Sequence, residues 1–304
     1  MSISDRALGA PSSSLRLWLA AIRPKTLSMA VVPVVTGSVL AWSAQGQVNL
    51  AIMLAVLAAS MFIQAGTNLY NDAADFQNGN DGPERLGPPR MSAMGLLSAR
   101  QVKTASLISF ALAAMLGLWL SWIGGWPILL LGSISILSGY AYSTGPRPIS
   151  HSPLGEIFVI AFFGIAATAG SYYLQAGDIS PSTLLIGAAL GAFAAAVLLT
   201  NNMRDRHEDK AAGRKTLAIL CGRRPTARIY NFLVFAPYAL LALNLYIFPA
   251  TANLWPGFLC LPFSALLALR FARCEGAAYN QVLVQTAQAQ LGFALLLCLG
   301  VIVF

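Results

Sequence analysis

The chain has 304 residues, of which 57% are hydrophobic and only 10% are charged. An ordinary soluble domain contains roughly 25% charged residues, so this composition argues against a water-soluble protein. The apolar residues come in runs of about 18 to 25, the length that an α-helix needs to cross a hydrocarbon core of about 30 Å. We therefore expect an all-α, polytopic membrane protein.

Nine such runs follow one another along the chain. Clusters of glycine, proline and tryptophan separate some of them, such as Gly125–Pro127 and Leu254–Gly257. The sequence predicts one transmembrane domain over residues 1–304, in which residues 1–20 are a flexible cytoplasmic N-terminus. The nine predicted helices lie at approximately 27–44, 48–70, 102–122, 126–143, 154–175, 180–203, 226–248, 253–271 and 284–304.

The basic residues predict the orientation of the chain. If the spans alternate in direction, all 19 Lys and Arg residues fall on the same side of the membrane. The positive-inside rule makes this side cytoplasmic, so in a cell inner (plasma) membrane the N-terminus and the charged loops would be inside and the C-terminus outside. Topology and anionic membrane lipid account for the net charge of +8, and we expect no nucleic-acid partner.

The acidic residues also lie on this side, except Asp178, which lies on the opposite side. Most of them follow the second and sixth predicted spans. Within each cluster the polar side chains recur at about i, i+3 and i+7, which would place them on one face of a helix. Each cluster therefore predicts one polar stripe. Asn68, Asn71 and Asp75 form the first stripe, and Asp205 and Asp209 form the second with Asn201 or Asn202. The whole first cluster contains Asn68, Asn71, Asp72, Asp75, Asp81 and Glu84, and the second contains Asn201, Asn202, Arg204, Asp205, Glu208 and Asp209.

Paired acidic stripes at a membrane boundary indicate a cation site. Carboxylates held close together repel each other, and a divalent cation removes that cost. Oxygen ligands of this kind suit Mg²⁺, which is commonly shared between one or two carboxylates and the phosphates of a substrate. Four predicted spans separate the clusters, which indicates two four-helix repeats and a ninth helix around a central cavity. The alternative is that the clusters are solvated helix ends with ordinary caps.

At these residues the sequence resembles the UbiA-type intramembrane prenyltransferases, whose two Asp-rich motifs follow the second and sixth helices of a nine-helix bundle. The menaquinone branch, the 1,4-dihydroxy-2-naphthoate polyprenyltransferases, is the most similar. The resemblance extends from about Arg23 to Leu291. It is carried by RPKTL, NLYNDAADFQNGND, RLGPPR, YSTGPRP, LGEIFVIAFFG and NNMRDRHEDKAAGRKTLA, and more weakly by NQVLVQTAQAQL.

The resemblance implies an Mg²⁺-dependent enzyme that transfers a polyprenyl group from a polyprenyl diphosphate to 1,4-dihydroxy-2-naphthoate, with loss of CO₂, to give demethylmenaquinone. It also implies roles for individual residues. The implied metal ligands are Asn71, Asp75, Asp81, Asn202, Asp205 and Asp209, the catalytic residues Asp72, Asp75, Asp205 and Asp209, and the substrate-binding residues Arg23, Lys25, Arg90, Tyr142, Arg147, Arg204 and Lys215.

Two other functions fit the same sequence. A prenyltransferase of this kind could use another aromatic acceptor, such as 4-hydroxybenzoate or homogentisate. The long spacing from Asp75 to Asp81 favours the menaquinone branch instead. A cation-coupled transporter also uses intramembrane carboxylates, but it predicts carboxylates near the centres of the spans.

Overall fold

A computed structural model describes residues 14–79, 86–88, 90–145 and 148–304, without the side chain of Lys25. Over these residues the regular structure is helical, with no strand. The α-helices are α1 Ser14–Ile22, α2 Pro24–Gln45, α3 Leu50–Gln77, α4 Ala99–Ala141, α5 Gly155–Ile160, α6 Ala167–Ala176, α7 Pro181–Arg204, α8 Arg206–Ala211, α9 Leu217–Cys221, α10 Arg223–Ile247, α11 Leu261–Arg273 and α12 Tyr279–Val303. A π-helical stretch, Ala161–Ala166, joins α5 to α6, and a 3₁₀ segment, Pro249–Cys260, leads into α11.

Eight helices among the described residues are long and apolar enough to cross a membrane, so the predicted count of nine is not confirmed. The third and fourth predicted spans lie together in α4, which has 43 residues. A straight helix of that length would measure about 65 Å, twice the hydrocarbon thickness. Gly125 interrupts α4 with φ 71° and ψ −164°, and a Cβ at Gly139 would lie 3.2 Å from the ring of Phe110. The two segments of α4 therefore fold back on each other at Gly125.

The first described helix differs from the expectation of a flexible N-terminus over residues 1–20. Helix α1 is amphipathic, and Leu17 and Trp18 pack against a buried cluster that includes Leu69 and Met91. Burial of these side chains holds α1 against α3, because apolar surface removed from water stabilises the packed form by about 25 cal/mol per Å². Residues 1–13 lie outside the described part of the chain.

Helix α7 occupies the centre of the bundle. Its side chains Ile186, Leu190, Phe193 and Leu199 are fully buried. Small residues let neighbouring backbones approach closely, as is usual between membrane helices. A Cβ at Gly191 would lie 2.7 Å from the backbone oxygen of Ile160, so the contact between α7 and the α5 region requires glycine there. Helices α10 and α12 pack on the other sides of α7.

The two ends of the bundle differ sharply in charge. At one end, Gln45 Nε2 donates a hydrogen bond to Ala176 O at 2.9 Å, and the backbone of Asn49 bonds the side chain of Gln175. Of the Asp, Glu, Lys and Arg residues in the described ranges, only Asp178 lies at this end. The opposite end carries the others, and the candidate site lies there.

Candidate active site

Helix α3 carries the first acidic cluster into the protein interior. It continues to Gln77, seven residues beyond the predicted span, because its last two turns bury polar side chains instead of exposing them to lipid. Asn71, Asp72 and Asp75 are each less than 9% exposed. Buried charged groups of this kind require partners, and the structure supplies them.

Asp72 holds the turn that follows α3. Its Oδ2 accepts the backbone N–H of Met91 at 3.0 Å, and its Oδ1 accepts that of Ser92 at 3.1 Å. This turn carries Arg90, which donates from Nη1 to the backbone oxygen of Asn71 at 2.9 Å. Both oxygens of Asp72 are therefore engaged with the backbone, and Asp72 fixes the position of the Arg90 guanidinium.

Asp75 lies between two guanidinium groups. Arg90 forms an ion pair with its Oδ2, and Arg214 Nη2 donates to its Oδ1 at 2.6 Å. The same Arg214 donates from Nη1 to Asp209 Oδ1 at 2.9 Å. Arg214 thus connects the first acidic cluster directly to the second.

The second cluster spans the break between α7 and α8. Helix α7 ends at Arg204, and Asp205 has φ −89° and ψ 7°, so the second stripe is not on one continuous helix as predicted. The i to i−4 backbone bonds nevertheless continue, from Asp205 N to Asn201 O at 3.0 Å and from Asp209 N to Asp205 O at 2.8 Å. The stripe therefore keeps nearly helical spacing across the break.

Arg204 organises the outer part of this cluster. Its Nε and Nη2 donate to the two carboxylate oxygens of Asp205 at 2.6 and 2.7 Å. It also donates to Asn201 and, across the bundle, to Asn280 Oδ1 at 2.8 Å. Asn280 in turn donates to the backbone oxygen of Leu86, which lies in the segment after the first cluster. The two halves of the chain are thereby joined around the site.

The two carboxamides that were predicted as metal ligands, Asn71 and Asn202, each direct their NH₂ group at a protein acceptor. Asn71 Nδ2 donates to Ser143 Oγ at 2.9 Å, and Asn202 Nδ2 donates to Glu156 Oε1 at 3.0 Å. A carboxamide oriented by its donor side presents its oxygen in the other direction. Glu156, on the first turn of α5, is only 4% exposed.

An apolar cavity of about 330 Å³ leads from the polar end into the bundle. Helices α2 and α3, both segments of α4 and the α5–α6 region line it. Along α3 its lining runs from Val56 to Thr67, a depth of about 16 Å at 1.5 Å per residue. Leu120, Ile128 and Leu174, which belong to one buried cluster, line its far end.

Tyr142 lines this cavity close to the charged groups. Burial, followed by the nearby negative charge of Glu156, raises the pKa of its hydroxyl to about 12. The Tyr142 hydroxyl therefore stays protonated at neutral pH and can donate a hydrogen bond. Arg214, Asp209 and Arg23 are close enough to act on it electrostatically as well.

Other predicted site residues lie around the rim. Arg23 precedes α2 with a left-handed backbone, φ 59° and ψ 69°, which is the only positive φ of a non-glycine residue in the described chain. Lys215 is exposed, and its backbone N–H donates to His151 O at 2.9 Å. Asp81, Arg147 and the side chain of Lys25 lie outside the described residues.

Three features of the site were not predicted from the sequence. Arg214 bridges the clusters, Glu156 orients Asn202, and Phe158 with Phe162 stacks along the cavity. The only sequence signal for Arg214 was its place in the segment AGRKT, directly after the second acidic stripe. For Arg214, the carboxylates of Asp75 and Asp209 raise the pKa more than burial lowers it, so it remains a cation.

The donors at the site match a hard divalent cation in chemistry. They are carboxylate and carboxamide oxygens, the ligands that Mg²⁺ takes in proteins. Among the described residues, no group of three or more His, Cys, Asp or Glu side chains is arranged to hold a metal ion. One cation, the guanidinium of Arg214, already bridges Asp75 and Asp209, which shows that the two carboxylates are close enough to share a positive charge.

Comparisons with known proteins agree on one family. Residues 30–283 match the model of the UbiA prenyltransferase family. The chain is 34% identical to 1,4-dihydroxy-2-naphthoate octaprenyltransferase of Escherichia coli (strain K12), over 95% of this chain and 96% of that protein. It is 31% identical to the protein of the same name from Bacillus subtilis (strain 168), over 92% of this chain and 90% of that one.

The fold is also that of solved structures. A UbiA homolog from Archaeoglobus fulgidus bound to DMAPP and Mg²⁺ superposes with a TM-score of 0.68 at 16% identity, over 94% of this chain and 99% of that one. The same homolog bound to GPP and Mg²⁺ gives a TM-score of 0.69 at 17% identity, over 94% and 100%. At this identity the likeness establishes the fold alone.

Proposed function

We propose, since the chain belongs to the UbiA prenyltransferase family, that it transfers a polyprenyl group from a polyprenyl diphosphate to 1,4-dihydroxy-2-naphthoate. The allylic carbon–oxygen bond would break with departure of diphosphate, a carbon–carbon bond would form at the ring carbon that bears the carboxylate, and CO₂ would leave. The ring keeps both hydroxyl groups, so the product is the hydroquinone form of demethylmenaquinone. Relatives that carry this acceptor in their name support the choice, at 31–34% identity over most of the chain.

The observation that carries the proposal is the meeting of Asp75 and Asp209 on Arg214 at the polar end of an apolar cavity. A polyprenyl diphosphate has the matching shape and polarity, with a charged head and a long hydrocarbon tail. The head would lie among the guanidinium groups and the tail along the cavity. Guanidinium groups suit this role because they bind phosphate oxygens through paired N–H donors.

Mg²⁺ would be held by Asn71, Asp75, Asn202, Asp205 and Asp209, with Asp81 as a further ligand. When bound, it would neutralise charge that develops on the leaving diphosphate. The described part of the site supports this with oriented carboxamides, whose NH₂ groups are fixed on Ser143 and Glu156.

The cationic side chains would bind and attract the diphosphate. Arg90 and Arg204, both buried, would hold diphosphate oxygens in fixed positions, and Arg23 and Lys215 would attract the diphosphate from the rim. Lys25 and Arg147 would also bind the diphosphate. Asp72 would act as a positioning residue, because its two oxygens hold the turn that carries Arg90. Tyr142 would donate a hydrogen bond from its hydroxyl group to the substrate.

The cavity would keep the reaction dry. Departure of the diphosphate leaves an allylic cation, which water would trap if it reached the site. The apolar lining would exclude water, and the tail would lie beside the stacked rings of Phe158 and Phe162, which line the cavity. The electron-rich naphthoate ring would then be the nucleophile that reaches the cation.

We further propose that the charged end faces the cytoplasm of a cell whose plasma membrane holds the protein, with the C-terminus outside. The positive-inside rule supports this orientation, since the described Lys and Arg residues share one end of the bundle.

Two alternatives make different predictions. A transporter needs carboxylates along a path through the membrane, whereas the described carboxylates other than Asp178 lie at one end of the bundle. Another aromatic acceptor would use the same diphosphate site, so only an acceptor comparison separates it. Purified protein should therefore be incubated with a polyprenyl diphosphate, Mg²⁺ and each acceptor in turn. Turnover of 4-hydroxybenzoate or homogentisate without turnover of dihydroxynaphthoate would refute the proposed acceptor.

A further inference from the structure

Arg214 lies between the carboxylates of Asp75 and Asp209. A metal ion that bound both carboxylates would have to occupy the same place. Its Nη2 and Nη1 donate to one oxygen of each carboxylate, at 2.6 and 2.9 Å, and its side chain is 11% exposed. A guanidinium and a divalent cation at these two oxygens would repel each other strongly in a site with little water. The two cations are therefore competitors for the same ligands.

We propose, resting on the function proposed above, that Arg214 competes with Mg²⁺ for Asp75 and Asp209 and is released from them onto the diphosphate of the substrate. Metal binding then depends on the diphosphate, because only the diphosphate offers Arg214 an alternative partner. Arg214 is thus a substrate-binding residue that also couples the two binding events.

The ion pairs of the site favour this coupling. The buried carboxylates of Asp75, Asp205 and Asp209 are matched by the guanidinium groups of Arg90, Arg204 and Arg214. A metal ion that binds these three carboxylates must therefore compete with guanidinium groups that already pair with them. A diphosphate brings several negative charges and acceptor oxygens, which a metal ion and a displaced guanidinium can both use.

The surroundings of Arg214 allow the side chain to move while the backbone stays in place. Its backbone N–H donates to Asp209 O at 2.9 Å, and the next N–H, of Lys215, donates to His151 O at 2.9 Å. Its Nε is buried and has no hydrogen-bond partner among the described residues. This donor remains for a third acceptor, and a phosphate oxygen at the polar end of the cavity would supply one.

The test measures binding and needs no prenyl transfer. Binding of Mn²⁺ to the purified full-length protein is followed by electron paramagnetic resonance, with and without inorganic diphosphate. Wild type should bind Mn²⁺ at least about tenfold more tightly when diphosphate is present, within the usual range of coupling between two ligands. Arg214→Gln should bind Mn²⁺ about tenfold more tightly than wild type without diphosphate, and diphosphate should raise its affinity by a smaller factor than in wild type.

Two further variants distinguish the effect of a guanidinium that bridges the two carboxylates from the effect of positive charge alone. Arg214→Lys keeps the charge, but a single ammonium lacks the planar fork that spans both carboxylates, so it should behave like Arg214→Gln. Arg224→Gln removes an exposed positive charge from the same end, outside the site, and should behave like wild type.

Unchanged or weaker Mn²⁺ affinity in both Arg214 variants without diphosphate would overturn the competition, provided that far-ultraviolet circular dichroism shows a native helix content in at least one of them. If prenyl transfer by wild type persists in that case, the proposed function stands and only the coupling fails. If wild type binds no Mn²⁺ even with diphosphate, the proposed metal site and the competition fail together.

Discussion

Asp75, near the end of α3, and Asp209, in α8, accept hydrogen bonds from the two terminal nitrogens of one guanidinium, that of Arg214. The two acidic clusters are therefore parts of one site. Removal of either carboxylate would break one of the two ion pairs of Arg214, and breaking a buried ion pair typically costs about 3–5 kcal/mol. Stability and activity should consequently respond together at these positions.

Asp72 tests whether the turn after α3 positions Arg90. In Asp72→Asn the new NH₂ group faces a backbone N–H, so one of the two hydrogen bonds is lost. We expect a loss of about 1–3 kcal/mol in unfolding free energy and a higher KM for the prenyl donor. Thermal unfolding in detergent and steady-state kinetics measure the two effects. Ser92→Ala keeps the backbone N–H that Asp72 accepts and serves as the matched control, and equal behaviour of the two variants would contradict the positioning role.

Glu156 tests the orientation of Asn202. Glu156→Gln retains a side-chain oxygen that can accept from Asn202 Nδ2, whereas Glu156→Ala does not. Loss of a group that orients a metal ligand commonly costs 10- to 100-fold, so we expect a fall of about that size for the alanine variant and a few-fold fall for glutamine. The measurement is the Mg²⁺ concentration required for half-maximal prenyl transfer. An alanine variant with the wild-type Mg²⁺ requirement would rule out this role.

Gly132 tests whether the cavity holds the tail of the donor. It lines the cavity, and a Cβ there would meet nothing within 4 Å, so Gly132→Leu should fill cavity space without loss of stability. We expect KM for a long-chain donor to rise about tenfold or more, with a smaller effect on a short-chain donor. Gly139→Ala is the contrasting variant. Its Cβ would lie 2.6 Å from Thr67 Oγ1, so it should destabilise the packing of α3 on α4. Equal kinetics of Gly132→Leu with both donors would place the tail elsewhere.

His151 gives a prediction for pH. Burial and then Arg214 lower its pKa, against a smaller opposing effect of Asp75. An unfolded chain therefore binds the proton at a higher pH than the folded protein does, and stability falls as the pH drops from about 6.5 through the lower folded value. In His151→Gln the unfolding temperature should decline less between pH 7 and pH 5 than in wild type. His207→Gln replaces an exposed histidine as the control. Identical pH dependence in wild type and His151→Gln would exclude this contribution.

Much of the architecture could be predicted from the sequence because it depends on local hydropathy. The apolar runs gave the helices, and the i, i+3, i+7 spacing gave the stripe that α3 carries as Asn68, Asn71 and Asp75. The extension of α3 to Gln77 was not predicted, since its polar last turns are stabilised by tertiary partners that a window of hydropathy does not contain. The packing of α1 was missed for the same reason.

The arrangement within the site was less predictable, because it depends on contacts between distant parts of the chain. Nothing local distinguishes Arg214 from Arg206 or Arg224, and only the fold brings its guanidinium to Asp75. The resemblance implies metal binding for Asp75 and not for Asp72, but it does not show which groups Asp72 contacts. The two side chains point in different directions from α3. Asp72 accepts hydrogen bonds from the backbone at Met91, whereas Asp75 contacts the guanidinium groups of the site.

The most direct test of the central claim is prenyl transfer by purified wild type, Asp75→Asn and Asp209→Asn. The assay contains a polyprenyl diphosphate, 1,4-dihydroxy-2-naphthoate and Mg²⁺, and mass spectrometry quantifies the product as the sum of demethylmenaquinone and its hydroquinone form, with chelated metal as the blank. We predict product from wild type only with Mg²⁺, and a loss of about 100-fold or more in each variant, since both carboxylates serve one diphosphate site. Wild-type rates in either folded variant, or full activity without a divalent cation, would contradict the account.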